Sequence, residues 1–156
     1  MKRVIFILLI LTSCEYNNLD EPSLTSDYIL FGHFYGECTG EKCIEIFKLT
    51  NTLLYEDTSD SYPNQSNPYE GTFQRLDQSL FEKVKGLASK VPQELLATDS
   101  GVIGQPDAGD WGGLYFEISV QGKKQYWWMD KMKTNLPEYL WAFAADIESS
   151  IALIND

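Results

Sequence analysis

The feature that most constrains the fold of this chain is a strict alternation of apolar and polar side chains over residues 114–120. A period of two predicts a strand with one buried face. Gln121-Gly122 follows as a two-residue turn, so the next segment folds back as a hairpin. The cross-strand pairs expected in that register are Val120 with Lys123, Phe116 with Trp127, and Tyr115 with Trp128. Aromatic side chains therefore meet on both faces of this hairpin, which makes an antiparallel sheet the framework of the domain.

Three segments of the first half also favour strands, because aromatic and β-branched residues are frequent in them. They span residues 28–35, 44–49 and 53–56. Short connections predict that these strands pair in sequence as a three-strand meander. Residues 57–71 then form a polar loop that is too long for a simple connection, which indicates a functional or a mobile segment.

Two later segments have the spacing of amphipathic helices. Ser79 and Glu82 form a Ser-x-x-Glu capping box that predicts a helix start, and Pro92 predicts the end of that helix near Val91. Pro137 opens the last helix, whose apolar face comprises Leu140, Phe143, Ala144, Ile147, Ile151 and Ile154. The predicted fold is a two-layer α+β domain, with an antiparallel sheet built from hairpins in the order βββ-α-ββ-α and two helices packed on one face.

The first residues have the pattern of an export signal. Lys2 and Arg3 precede an unbroken apolar run over residues 4–11, which is far shorter than the roughly 20 residues of a membrane span. The sequence Leu11-Thr12-Ser13-Cys14 then resembles the cleavage site of bacterial lipoproteins, in which the chain is cut before the cysteine and the cysteine receives acyl chains such as palmitate. The resemblance implies a signal peptide over residues 1–13 and lipid attachment at Cys14. The alternative is an ordinary signal peptide cut nearby, with Cys14 a plain thiol.

A lipid anchor on Cys14 places the protein in the cell envelope of a Gram-negative bacterium. Several acyl chains hold a protein stably at a bilayer, since each buried CH₂ contributes about 0.8 kcal/mol. The outer membrane is the favoured location, and the leaflet stays open because a single acidic residue after the cysteine, Glu15, does not decide it. Residues 14–26 are polar and predict a flexible tether, and residues 27–156 are expected to form one α+β domain.

The charge of the mature chain limits its partners. The chain has a formal net charge of −11, and loss of Lys2 and Arg3 with the signal peptide changes this to −13. Such acidity argues against nucleic acid and against electrostatic binding to anionic lipid, because both need a basic surface. A cationic partner, whether a protein or a small ligand, fits the charge.

Cys38 and Cys43 remain once Cys14 carries lipid. They flank the turn of the first predicted hairpin, and export takes them out of the reducing cytosol, so we predict a structural disulfide between them. A loop this short contributes only about 2 kcal/mol in the chain-entropy model, so the bond is expected to hold the hairpin register. Half of a metal site and a redox-active pair are the alternatives, although the sequence has no second thiol pair and Cys-x₄-Cys is not the helix-borne Cys-x-x-Cys motif.

The recognised catalytic motifs do not occur in this sequence. His33 is the single histidine, which excludes a His-Glu-x-x-His zinc site, and no nucleophile elbow, phosphate loop or dinucleotide motif occurs. His33 lies among aromatic residues and is expected to be packed or hydrogen-bonded, with a catalytic base or a metal ligand as the alternative. A hydrolase that uses a carboxylate pair stays open, because 23 acidic residues make that pattern uninformative.

The most concentrated candidate site is the loop that contains Asp107, Asp110, Trp111, Gly112 and Gly113. Two carboxylates three positions apart beside an indole suit a calcium site, a surface that contacts a ligand or a protein, or a structural loop whose glycines supply positive φ before the strand. The spacing does not match an EF-hand. We predict no metal and no cofactor here, with calcium at Asp107 and Asp110 as the alternative.

Five motifs together resemble a group of small lipoproteins of Gram-negative bacteria. They are Phe31-Gly32-His33-Phe34-Tyr35-Gly36, Cys38-x₄-Cys43, Tyr62-Pro63, Ile103-Gly104-x-Pro106-Asp107 and Asp110-x-Gly112-Gly113. The resemblance covers most of the mature chain. It implies the lipid anchor and the α+β fold, and it implies no activity and no catalytic residue.

We therefore interpret the chain as a membrane-tethered lipoprotein whose acidic domain binds a ligand or a partner, and not as an enzyme. The lipid bilayer is its first partner, through acylated Cys14, and the second is a protein or small ligand of cationic character. Two alternatives stay open. One is a small inhibitor or immunity-type protein directed against a basic partner, and the other is a hydrolase that uses His33 or a carboxylate pair.

Overall fold

Residues 26–156 are described by a computed structural model. They form an α+β fold with one mixed seven-stranded sheet and three α-helices. The predicted signal peptide, the predicted lipid site Cys14 and the predicted tether up to residue 25 lie outside the described residues. Within residues 26–156, no helix combines the length and the apolar character needed to cross a bilayer.

The elements follow the chain as four strands, two helices, three strands and a last helix. The strands are β1 (Tyr28–Phe34), β2 (Ile44–Thr50), β3 (Leu54–Asp57), β4 (Phe73–Arg75), β5 (Gly101–Ile103), β6 (Gly113–Val120) and β7 (Lys123–Asp130). The helices are α1 (Gln78–Val84), α2 (Gln93–Leu96) and α3 (Trp141–Asn155). Across the sheet the strand order is β4-β3-β2-β1-β6-β7-β5, so β1 joins the early meander to the late hairpin.

The β6–β7 hairpin has the predicted register. Phe116 pairs with Trp127, Tyr115 with Trp128, and Val120 with Lys123. Gln121 and Gly122 both have positive φ, at 52° and 76°, as the tight turns that match strand twist require. The first three strands also pair in sequence, with β1 against β2 and β2 against β3, so the predicted meander is confirmed.

The sheet differs from the prediction in strand number and in direction. β4 and β5 are additional strands of three residues each, and β5 runs parallel to β7 at one edge. The prediction of a purely antiparallel sheet in the order βββ-α-ββ-α is therefore wrong. The physical reason is length, because a segment of three residues is too short to show the period-two pattern that marks a strand.

Side chains from the helices pack with one face of the sheet. The apolar positions predicted for the last helix are buried there, with Phe143, Ile147 and Ile151 in contact with the cluster that contains Phe31, Phe116 and Trp127. The Phe143 ring meets the Phe116 ring edge-on with a centroid distance of 4.9 Å, an arrangement that adds to simple burial. This cluster is the larger part of the hydrophobic core.

The opposite face of the sheet is also buried, although no helix contributes to its cluster. Leu30, Phe34, Ile46, Tyr115 and Trp128 form a second apolar cluster on that face, and Tyr69 from the loop between β3 and β4 packs into it. The long polar loop predicted from residues 57–71 thus covers part of the sheet. Asp57 fixes the loop, because its carboxylate accepts hydrogen bonds from the Tyr69 hydroxyl (2.6 Å) and from the Thr72 backbone N–H (2.5 Å).

Helix α1 begins earlier and ends earlier than predicted. It spans Gln78–Val84 with Asp77 before its first residue, and no side chain caps its start. Ser79 therefore lies inside the helix, so the predicted capping box is wrong. Gly86 lies just beyond the end, and glycine loses more backbone freedom than alanine in a helix. The chain continues as a 3₁₀ turn over Leu87–Lys90 before Pro92.

The loop between β1 and β2 brings Cys38 and Cys43 to disulfide distance, with their Cα atoms 5.6 Å apart. A 3₁₀ turn over Glu41–Cys43 and a hydrogen bond from the Tyr35 N–H to the Cys43 carbonyl (2.9 Å) return the chain to β2. Cys43 is buried. The predicted pairing is therefore confirmed in the structure, and it closes the end of the first hairpin.

We expect exported protein to contain no freely alkylated thiol at Cys38 or Cys43 until a reductant is added. The physical reason is the pairing distance in an oxidising compartment. Mass spectrometry of tryptic peptides, alkylated before and after reduction, measures this directly. Two thiols that react fully without reductant would contradict the prediction, and protein retained in the cytosol provides the reduced control.

Candidate functional site

The predicted loop connects β5 to β6, and Asp107 holds it to two distant parts of the chain. One carboxylate oxygen of Asp107, Oδ2, accepts hydrogen bonds from the Gly36 N–H (2.9 Å) and the Tyr62 hydroxyl (2.6 Å). The other oxygen, Oδ1, accepts the Gly112 N–H at 3.1 Å. The Asp107 N–H donates in return to the Gly112 carbonyl at 2.8 Å. One side chain thus joins the loop to the end of β1 and to the loop between β3 and β4.

The backbone of this loop uses the left-handed region repeatedly. Asp107, Gly109, Asp110 and Gly112 all have φ between 60° and 74°, a conformation that glycine and aspartate tolerate better than most residues. A side chain at position 112 would collide with the Tyr35 ring. Gly113 does not have positive φ, and its role is close packing, because a side chain there would collide with the Phe34 ring. The prediction of positive φ is therefore confirmed for Gly112 and wrong for Gly113.

The Asp107 carboxylate accepts hydrogen bonds from three protein donors, whereas a calcium ligand directs its oxygen atoms to the ion. In the part of the chain that the structure describes, no three His, Cys, Asp or Glu side chains are placed to hold a metal ion together. Asp107 fixes the loop through these three hydrogen bonds. Calcium at Asp107 and Asp110 stays a hypothesis.

Trp111 is the most exposed large apolar residue of the described chain, with 66% of its surface accessible. Tyr62, 44% exposed, lies beside the same loop because its hydroxyl donates to Asp107. Burial and the adjacent Asp107 carboxylate raise the pKa of Tyr62, so its hydroxyl keeps the proton that it donates. Asp110, the residue before Trp111, is exposed as well. We call Tyr62, Asp110 and Trp111 the Trp111 surface.

His33 is hydrogen-bonded within the domain, in agreement with the expectation of a packed or hydrogen-bonded side chain. Its Nε2 atom lies 3.0 Å from the Lys42 carbonyl oxygen and 3.0 Å from Glu45 Oε2. Both neighbours are acceptors, so Nε2 carries the proton. Burial alone would raise the pKa of Glu45, but the hydrogen bonds from His33 and Asn155 outweigh it and hold that pKa below its ordinary value. Among residues 26–156, neither Asp107 nor Asp110 forms a hydrogen bond or an ion pair with His33.

A pocket that the sequence did not indicate lies on the sheet face opposite the helices. It has a volume of about 290 Å³, and its walls include Tyr28, Lys48, Tyr69, Phe73 and Lys124. We call these five residues the aromatic–lysine pocket. The Lys48 ammonium lies 4.4 Å from the centroid of the Tyr28 ring and 5.5 Å from that of Phe73. The pocket is open to solvent beside the buried second cluster.

A buried carboxylate lies beneath this pocket. Glu117 is fully buried, and its oxygens accept hydrogen bonds from the Tyr28 hydroxyl (3.2 Å), the Tyr115 hydroxyl (2.8 Å) and the Tyr69 N–H (2.9 Å). Lys124 Nζ lies 3.5 Å from Glu117 Oε1. Burial and the Glu117 charge raise the pKa of Tyr115, so this phenol stays a donor. The network ties β1, β6, β7 and the long loop together under the pocket.

Sequence reasoning missed the pocket because its walls come from five separate segments. The period-two pattern already places Tyr28 on one face of β1 and Lys124 on one face of β7. Phe73 belongs to a strand of three residues, and Tyr69 belongs to a loop without periodicity.

Comparison of the whole chain with protein-family models, with curated proteins and with solved structures found no match.

Proposed function

We propose that the protein is a lipid-anchored binding module of the Gram-negative cell envelope, attached through Cys14 to the outer membrane, and that the Trp111 surface contacts a basic protein partner. One observation carries the proposal. Trp111 is two-thirds exposed on a loop that Asp107 fixes at three points. Tryptophan is frequent among the residues that dominate the binding energy of protein interfaces, so an exposed indole on a fixed loop suits contact with a partner.

The fixed geometry of the loop supports a binding role. A loop held before the partner arrives loses little conformational freedom on binding, so more of the contact energy appears as affinity. The Tyr62 ring is fixed through its hydroxyl to the aspartate that holds the Trp111 loop, so it offers a second partly exposed aromatic side chain at this loop. Together they give the small aromatic centre that protein interfaces use.

The charge of the domain supports a basic partner. The mature chain has a formal net charge of −13 after removal of the signal peptide, and Asp110 lies beside Trp111. Opposite charges on two partners speed their encounter and suppress wrong partners. The same charge opposes contact of Trp111 with an anionic membrane surface, which needs basic residues. An inhibitor or immunity-type role against a basic partner is a special case of this proposal and uses the same surface.

A non-catalytic role is the proposal that the arrangement around His33 favours. The proton on Nε2 is directed to two acceptors, and the partner carboxylate of Glu45 accepts from Asn155 as well. A catalytic base needs an acceptor nitrogen, which in this tautomer is Nδ1, within reach of a nucleophile. In the described part of the chain, the polar contacts of His33 include no serine, threonine or cysteine.

Site-specific photo-crosslinking tests the proposed contact. A photoreactive phenylalanine analogue at position 111 of the full chain, in the bacterium that produces it, is expected to crosslink to one protein of basic isoelectric point. The control position is Val102, which is 48% exposed on β5 and lies outside the Trp111 surface. Charge reversal by Asp110→Lys is expected to lower the yield from position 111 at least fivefold, because a basic partner is then repelled.

Three results would contradict the proposal. One is the same crosslinked products at positions 111 and 102, which indicates nonspecific encounter. Another is a crosslink from position 111 to lipid alone, which indicates that the indole rests on the membrane. The third is a product whose yield Asp110→Lys leaves unchanged or increases.

A further inference from the structure

The aromatic–lysine pocket contains two lysines whose ammonium groups have different surroundings. Lys124 is paired with buried Glu117, at 3.5 Å. Lys48 is different, because the ion pairs found within residues 26–156 do not include it. Its ammonium instead lies against the faces of Tyr28 and Phe73. Lys48 thus places an ammonium without an ion-pair partner at the wall of a pocket in an acidic domain.

The strand register explains why both lysines lie near the Tyr28 ring. Tyr28 pairs with Ser119 on β6, and Ser119 pairs with Lys124 on β7, so these three residues lie in one row across the sheet. Lys48 pairs with Leu30, the next residue on the same face of β1. Both ammonium groups therefore lie within 6 Å of the Tyr28 ring centroid, at 4.4 Å and 5.9 Å. The sheet, and not a flexible loop, sets this arrangement.

The walls favour a flat apolar body. The rings of Tyr28, Phe73 and Tyr69 border the cavity, and the buried side chain of Leu30 lies in its wall. Aromatic rings prefer offset or edge contacts with another ring. The volume of about 290 Å³ lies at the lower end of small-molecule sites, so the ligand has one or two rings.

The two carboxylates near the pocket favour a ligand with a single negative charge. Glu117 lies beneath the pocket and Glu70 lies in its wall. A dianion such as a phosphate monoester would be repelled by both carboxylates. A single carboxylate meets Lys48 and Lys124 with less repulsion, and hydrogen bonds to ionised groups are the stronger ones.

We propose that the aromatic–lysine pocket binds a small aromatic monocarboxylate, with its carboxylate between Lys48 and Lys124 and its ring against Tyr28 and Phe73. This site is separate from the Trp111 surface and does not depend on it. The acidic exterior and this cationic pocket thus serve two different ligands.

Three naphthalene derivatives that share the ring and carry a negative, a neutral or a positive substituent test the proposal. They are 1-naphthoate, uncharged 1-naphthalenemethanol and cationic 1-naphthylmethylammonium, added to the isotope-labelled full chain with Cys14→Ala. In amide NMR spectra, 1-naphthoate is expected to shift the signals of Lys48, Gly71 and Phe73 in a saturable manner. The alcohol is expected to bind about tenfold more weakly, which is the loss that one charge-assisted contact predicts.

Lys48→Met keeps the apolar stem and removes the charge, so it is expected to weaken 1-naphthoate binding about tenfold. The matched control is Lys123→Met. This change removes the same charge from the neighbouring residue of β7, whose side chain is exposed on the other face. Equal affinity for the acid and the alcohol would overturn the proposal, since the pocket would then be only an apolar patch. The proposal would also be overturned if about 10 mM 1-naphthoate caused no shifts in the pocket, because weaker binding does not indicate a specific site. The probe series needs no variant, so it decides the question even if Lys48→Met does not fold.

Discussion

Replacement of Cys14 by alanine is expected to move the protein completely from the membrane fraction to the soluble fraction. The proposed anchor consists of several acyl chains, and each buried CH₂ contributes about 0.8 kcal/mol to membrane binding. Without the thiol no acyl chain is attached, so this contribution to membrane binding is lost. Its net charge is negative, which opposes binding to anionic lipid. Fractionation of cells, followed by labelling with a fatty-acid analogue, measures both the location and the modification.

Cys38→Ala is the matched control for this experiment. It also removes a cysteine, but one that lies at disulfide distance from Cys43 in the folded domain. It is expected to retain membrane partition and full fatty-acid labelling. A Cys14→Ala protein that stays with membranes after a high-salt wash would show that another element holds it there, and the lipid anchor would then be wrong.

Local sequence patterns were sufficient to predict the β6–β7 hairpin and the last helix. The hairpin register depends on a period of two and on the two residues of the turn, and all of these lie within about 18 positions. The buried side of α3 likewise depends on a period near 3.6 within one segment. Phe143, Ile147 and Ile151 are buried for the reason that their spacing indicated.

The structural role of Asp107 could not be predicted from the sequence, although the residue itself was identified as a candidate site residue. Its partners Gly36 and Tyr62 lie 71 and 45 positions away. A pair of carboxylates in a glycine-rich loop suits cation binding equally well until those donors are known. The structural role of Asp107 therefore became visible only through its contacts with distant parts of the chain.

The buried second face of the sheet was missed for a similar reason. Residues 57–71 are polar on average, so composition predicts a loop in solvent. Asp57 and Tyr69 are buried nevertheless, because the Tyr69 hydroxyl donates to Asp57 and the Tyr69 N–H donates to Tyr115 and Glu117 on β6. A loop that closes a sheet face needs only a few such anchors, and their pattern has no period. The aromatic–lysine pocket is a direct consequence, since this loop provides one of its walls.

Glu117→Ala is expected to lower the free energy of unfolding by about 2–4 kcal/mol, because a buried donor that loses its acceptor costs about 1–3 kcal/mol. The Glu117 side chain is fully buried and accepts from two hydroxyls and one backbone N–H. Its loss leaves the Tyr69 N–H and the Tyr115 hydroxyl without their carboxylate acceptor in a dry site. Since small domains are stable by only about 5–15 kcal/mol, much of the stability would be lost. Urea unfolding of the full chain with Cys14→Ala provides the measurement.

Glu117→Gln distinguishes the loss of charge from the loss of hydrogen bonds. Glutamine keeps one acceptor oxygen, which can face the Tyr69 N–H, and its amide can donate to the Tyr28 hydroxyl, which then rotates to accept. We therefore expect a smaller loss, about 1–2 kcal/mol, mainly from the contact with Lys124, which is itself 38% exposed. Glu94→Ala, at an exposed position on α2, is the matched control and is expected to stay within about 0.5 kcal/mol of the parent. If Glu117→Ala also stayed within that margin, Glu117 would not be what ties the long loop to the sheet.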